Sequence, residues 1–190
     1  MKFKLVKKYI KSDLYRYTGS TSVFMGIFRY VKDPVFRFQT ALRLSKGDGI
    51  VGVIGKILWF TNPKKGHLQI RPETKIGYGL FIGHGGPVVI NHTAVIGNNV
   101  NLSQFLTIGT NYETAAVIGD NTYIGPNVCI VEDVHIGSNV TIGAGSVVTK
   151  DIPDNATAAG NYAKVLNYDD PGRFITNRWS DCSEELGVRS

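Results

Sequence analysis

Cysteine is scarce in this chain: Cys129 and Cys182 are the only two in 190 residues. One thiol inside a regular repeat and one in a polar tail do not make the disulfide framework of a small secreted domain, and Cys129 reads as packing. Long apolar runs are missing too. The most hydrophobic stretch, residues 50–60, is about half the length that a membrane-spanning helix needs. With no signal peptide in view, a cytoplasmic location is expected. There is no zinc finger and no basic-aromatic nucleic-acid motif, so nucleic acid is not an expected partner. Of the histidines, His67, His84, His92 and His135, the spacings of His84, His92 and His135 do not suggest three converging on one metal, and no metal is expected. Acidic residues are few at the start: residues 1–65 hold ten Lys and four Arg against three Asp, net +11, and the remainder is net −5.

That cationic region reads as helices. Lys2, Lys4, Lys7, Lys8 and Lys11 lead to Ser12-Asp13, which are expected to cap a helix entered by Leu14, Tyr15 and Tyr17. A second helical pattern covers residues 22–32. Asp33-Pro34 should start a third, because Asp caps and Pro suits the first turn, with Val35, Phe38 and Leu42 on one face and Gly47 as its stop. Ile50, Val53, Ile54, Ile57 and Leu58 then fall at helical spacing. Two readings of this region stand side by side. It is a helical cap packed on the next segment of the chain or on a neighbouring subunit, or its Lys and Arg, with Phe24, Phe28, Phe36, Trp59 and Phe60, make peripheral contact with the inner face of a membrane. The turn-forming run Thr61-Asn62-Pro63-Lys64-Lys65-Gly66 is the boundary. Three segments result: the helical region 1–66, a repeat over 67–153, and a closing segment and tail over 154–190.

The repeat is the strongest signal. Ile70, Ile76 and Ile82 are six apart, as are Ile90, Ile96, Leu102 and Ile108, and then Ile118, Ile124, Ile130, Ile136, Ile142 and Val148. Neither a helix nor a half-buried strand has that period. A small or apolar residue stands four further on at Ala94, Val100, Val128, Val134, Val140 and Ser146, and glycine follows the aliphatic at many steps. Short strands joined by tight corners, each aiming the next aliphatic at one axis, satisfy this pattern, which makes the chain mainly β, a β-solenoid. Two insertions break the period, in Gly83-His84-Gly85-Gly86-Pro87-Val88-Val89 and in residues 109–117. Function is expected at such breaks.

The motifs Ile82-Gly83-His84-Gly85-Gly86-Pro87-Val88-Val89-Ile90, Ala94-Val95-Ile96-Gly97-Asn98, Gly143-Ala144-Gly145-Ser146-Val147-Val148 and Ala158-Ala159-Gly160 resemble the hexapeptide-repeat acyltransferases. Their serine O-acetyltransferase branch, with its short relatives linked to surface polysaccharide, is the most similar. The resemblance implies a left-handed parallel β-helix, a homotrimer with active sites between subunits, and acetyl-CoA as donor; periodicity yields none of these. It also implies that His84 is the catalytic base. That role suits the residue, since a hydroxyl is a poor nucleophile until its proton leaves and a histidine side chain ordinarily titrates at about pH 6.5. Gly125, Ala144, Gly145, Lys150 and Lys164 are the implied acetyl-CoA contacts.

The sequence departs from the branch where serine would bind. Gln69 stands fifteen residues before His84, where the family has an Asp that orients the base, and Gly83 replaces a second Asp. Gln69, Glu73 or a backbone carbonyl is left to orient His84. Tyr162 stands where the wider family has Pro. The shorter loop carrying Tyr112 and Glu113 offers hydrogen-bonding and aromatic groups suited to a sugar. The expected activity is therefore acetyl-CoA-dependent O-acetylation of a sugar or surface-polysaccharide precursor, with serine O-acetylation and a non-catalytic trimeric scaffold as alternatives.

Overall fold

The computed structural model describes residues 1–180, so Cys182 and the end of the tail lie outside the described residues. Four helices come first: α1 (Phe3–Thr18), α2 (Val23–Lys32), α3 (Pro34–Leu44) and α4 (Gly49–Phe60), followed by a 3-10 turn over Pro63–Gly66. Asp33 starts α3 as its sequence dictates, its Oδ1 accepting from the amides of Val35 at 2.8 Å and Phe36 at 3.2 Å. α1 departs from expectation. It runs through Ser12-Asp13, which are buried in mid-helix and cap nothing. The reason is tertiary: Arg43 of α3 donates to both Asp13 oxygens, at 2.8 and 2.9 Å, with both side chains buried.

Short strands then cycle through three directions. They are β1 (Leu68–Gln69), β2 (Lys75–Ile76), β3 (Phe81–Ile82), β4 (Val88–Ile90), β5 (Val95–Ile96), β6 (Asn101–Leu102) and β7 (Leu106–Gly109). After them come β8 (Val117–Ile118), β9 (Tyr123–Ile124), β10 (Cys129–Val131), β11 (His135–Ile136), β12 (Thr141–Ile142) and β13 (Val147–Val148). β14 (Thr157–Ala159) and β15 (Lys164–Asn167) close the series. Every third strand pairs in parallel, giving face 1 (β1-β4-β7-β10-β13), face 2 (β2-β5-β8-β11) and face 3 (β3-β6-β9-β12-β14), with β15 antiparallel on β14. The result is a triangular solenoid of parallel coils.

Register carries the six-residue period into the core. Ile82, Leu102, Ile124 and Ile142 are successive partners, stacked at roughly 4.8 Å per coil. Every aliphatic of the six-residue series, from Ile70 to Val148, is buried. The corner between faces 2 and 3 is a stack of left-handed asparagines: Asn99, Asn121, Asn139 and Asn155 have φ of 54, 54, 57 and 64°. Their amides hydrogen-bond coil to coil at 3.3, 3.3 and 3.1 Å. Asn tolerates that conformation and the ladder satisfies its side chain.

An open solenoid end would expose unpaired backbone groups. Here the helices cover it with side chains. Arg43 donates to the carbonyls of Ile76 at 2.9 Å and Gly77 at 2.7 Å, and Gln39 donates to Leu80 O at 3.0 Å. The Tyr17 hydroxyl accepts from Ile82 N–H at 3.0 Å, and Arg16 donates to Gly79 O at 2.7 Å. Burial pushes the Asp13 carboxyl up, opposed by Arg43, and pushes the Arg16 guanidinium down to about 10.

Candidate active site

Both insertions in the repeat lie at corners, but at different ones. His84 stands between β3 and β4, where face 3 turns into face 1, while residues 110–116 stand between β7 and β8, where face 1 turns into face 2. Within one chain, then, Tyr112 and Glu113 are not beside His84. Both are exposed. Their loop is tied down by Glu132, which accepts from Thr110 Oγ1 at 2.9 Å and from Asn111 N–H at 3.1 Å. Those bonds, the Asn111 amide first, hold the Glu132 carboxyl below the usual range.

His84 is presented by a tight backbone. Gly83 N–H donates to Leu102 O at 2.9 Å and Gly85 N–H to Gly83 O at 2.7 Å, and His84 and Gly85 both take positive φ, 60 and 61°. Gly85 is required twice over, since a Cβ there would stand 2.5 Å from Val35 Cγ2 of α3. Lys64 Nζ donates to Gly85 O at 3.3 Å. The helical region therefore clamps this corner, and the imidazole is left exposed.

A groove of about 340 Å³ opens at His84, lined among others by Tyr17, Arg29, Asp33, Lys64 and Phe81. Arg29 and Asp33 form an ion pair at 2.7 Å, with the guanidinium 4.5 Å over the Tyr17 ring. Asp33 thus works through both oxygens, one capping α3 and one holding Arg29. Burial drives the Tyr17 hydroxyl well up, so it stays neutral. No hydrogen bond reaches the His84 ring among the described residues. Gln69 donates to Gly66 O at 3.4 Å and lines a separate groove on face 1, and Glu73 pairs with Arg71 at 3.4 Å.

The donor positions divide. Strand register puts Gln104, Pro126, Ala144 and Gly160 two residues past Leu102, Ile124, Ile142 and Ala158, so they stack below His84 on one corner. Gly125, Ala144 and Gly145 therefore share the His84 corner, with Ala144 three coils away, about 14 Å along the axis. Lys164 pairs with Ala159 beside it. Lys150, two residues past Val148 of β13, lies at the other corner with Thr110 and Glu132. The Asn161-Tyr162 peptide is cis.

Sequence reasoning did not place Tyr17, Arg29 or Asp33 at this groove. Asp33 carried only the signal of a helix cap, and nothing in α2 says which side of it turns to Tyr17 of α1 and Asp33. Gln104, whose buried Oε1 has no hydrogen-bond partner among the described residues, was also not singled out.

Comparison with known proteins agrees with this fold. The bacterial transferase hexapeptide (six repeats) family model matches residues 115–150. Serine acetyltransferase 3, mitochondrial, of Arabidopsis thaliana is 40% identical over 103 residues, covering 52% of this chain and 26% of that protein. The serine acetyltransferase of Staphylococcus aureus (strain Mu50 / ATCC 700699) is 40% identical over 106 residues, 54% of this chain and 50% of that one. The chain thus spans between a quarter and a half of the length of these curated relatives. Among solved structures, Neisseria gonorrhoeae serine acetyltransferase in complex with serine superposes with a TM-score of 0.69 at 28% identity, over 87% of this chain and 70% of that chain. The solenoid is accordingly a left-handed parallel β-helix. By repeat, by fold and by sequence, this chain resembles the hexapeptide-repeat acyltransferases and, among them, the serine acetyltransferases.

Proposed function

We propose that the protein is an acetyl-CoA-dependent O-acetyltransferase that uses His84 as general base on the hydroxyl of free serine. The observation that carries this reading is the groove in which His84 stands with a fixed cation, Arg29, and a fixed anion, Asp33. Serine is a zwitterion. Its carboxylate matches Arg29 and its ammonium matches Asp33, each adding to the bonds these two side chains already make, and Asp33 would supply the negative group that Gly83 and Gln69 do not. The serine acetyltransferases among the similar proteins support the same acceptor over the sugar expected from those two positions.

The chemistry is a direct transfer. His84 removes the hydroxyl proton as the serine oxygen attacks the thioester carbonyl, the C–S bond breaks, and the imidazolium returns its proton to the leaving thiolate. These steps use no metal. Acetyl-CoA lies along the corner of Gly125, Ala144 and Gly145, with Lys164 near its phosphates; Lys150, at the other corner, would serve a neighbouring copy. The same separation supports a homotrimer, in which one copy's Tyr112 and Glu113 reach the next copy's His84. A cytoplasmic location goes with this reading, as acetyl-CoA is the donor.

Free thiol release from acetyl-CoA by the purified protein, with L-serine against a panel of sugars, tests the proposal. L-serine should exceed every sugar at least about tenfold in kcat/KM, a difference of about 1.4 kcal/mol, and His84→Ala should lower turnover by roughly 10²–10⁴ while acetyl-CoA still binds. A preferred sugar would restore the polysaccharide reading, which Gly83 and Gln69 favour. Thiol release from no acceptor would leave the scaffold.

A further inference from the structure

Lys4, Lys7, Lys8 and Lys11 recur at i, i+3, i+4 and i+7 along α1 and so form one stripe. With Arg178 they line a cleft of about 420 Å³. A second groove, of about 450 Å³, runs between α1, α2 and α3 with Ile10, Leu14, Ile27 and Phe36 on its walls. Lys7, Lys11 and Thr21 border both, so the cationic stripe and the apolar groove are one continuous surface.

α2 extends this surface outward with the opposite polarity from an ordinary surface helix. It has no buried residue, and Val23, Phe24, Ile27, Phe28 and Val31 are each at least 51% exposed. Its polar Arg29 is the side chain that turns inward, to Tyr17 and Asp33. An apolar helix face turned to solvent beside a row of lysines matches a layer that is apolar beneath and anionic at its surface. No helix among the described residues is long and apolar enough to cross a membrane, so the contact is on the layer and not through it. A second copy docked face to face would set lysine row against lysine row, whereas anionic headgroups complement them.

The geometry points to α1 and α2 as a docking surface for an anionic membrane, with Phe24, Ile27 and Phe28 entering the headgroup boundary and Lys4, Lys7 and Lys11 pairing with lipid charge. This holds whichever acceptor the active site takes. Co-sedimentation of the full chain with phosphatidylcholine vesicles, with and without about a third phosphatidylserine, tests it. Binding should require the anionic lipid, weaken as salt rises, and fall roughly twenty-fold or more in Lys7→Ala/Lys11→Ala, since each lysine near the surface is worth about five-fold. Phe24→Asp should bind at least ten-fold more weakly with unchanged melting and unchanged acetyl transfer, and Phe24→Trp fluorescence should shift to the blue on vesicles. Equal binding to neutral vesicles, or none to either, would overturn the assignment. So would binding that survives Phe24→Asp but is lost in Ile57→Asp on α4, or a protein whose α2 face is covered by self-association that Phe24→Asp dissolves.

Discussion

Glu132 shows how one side chain governs a loop that the sequence marked only as an insertion. Its carboxylate accepts from Asn111 N–H and Thr110 Oγ1 and so fixes the start of the segment carrying Tyr112 and Glu113. Because these bonds depress its folded pKa from the ordinary 4.5, the stabilisation they contribute is present above about pH 4.5 and is lost as pH falls through the lower folded value. The protection of the Asn111 amide against exchange, relative to the intrinsic rate at each pH, should accordingly be high at neutral pH and fall in acid, ahead of global unfolding. Glu132→Ala should remove that protection at every pH. An Asn111 amide indifferent to both changes would mean that the loop is ordered by something else. At this scale the position of His84 was legible, because a histidine flanked by glycines at a period break is a local signal. Arg29 and Asp33 were not: they are brought to His84 from 50 residues or more away by the docking of α2 and α3.

Among the elements, α1 and α3 are held to the first coil by buried polar contacts as well as by the apolar side chains of Val35, Phe38 and Leu42. Asp13 is the hub, taking two bonds from Arg43 and one from Leu80 N–H, at 2.8 Å, with no exposure to speak of. Removing one partner of a buried pair leaves the other charged and unsolvated. Asp13→Ala should therefore cost about 3–5 kcal/mol in chemical denaturation, comparable to the total stability of many domains. It should also loosen the coil end at Gly77 to Ile82 in hydrogen exchange. A loss below about 1 kcal/mol would mean that Arg43 finds water and the helices dock by other means. The helices themselves were readable from capping and periodicity, and α2, α3 and α4 lie where those signals put them. Ser12-Asp13 misled because a cap residue and a buried ion-pair residue look alike until the partner is known. Phe36, grouped with the membrane-facing aromatics, is in fact buried against Tyr17 at 5.8 Å, whereas Phe24 and Phe28 are exposed.

For the molecule as a whole, stability rests on the continuity of one aliphatic stack. Ile124 lies in its middle, fully buried between Leu102 and Ile142. Ile124→Asp would place a carboxylate there with no partner, at a cost of several kcal/mol that spans both neighbouring coils. Circular dichroism and gel filtration should show an unfolded or aggregated chain. A soluble protein with unchanged melting would require a different register from the one in the parallel pairings.

The sequence by itself determined the solenoid, because a period of six forces one inward position per face and the Ile, Leu and Val series occupies each in turn. It also determined that His84 stands at a corner, since an insertion in so regular a coil has nowhere else to go. Only the tertiary structure decided which residues meet there. Strand register sorts Gly125, Ala144 and Gly145 onto the His84 corner and Lys150 and Tyr112 onto another, and helix docking delivers Arg29 and Asp33 to the groove. The physical reason is range: periodicity and capping act between residues a few positions apart, while corners and clamps are made by chain segments whose separation in sequence carries no trace of their contact.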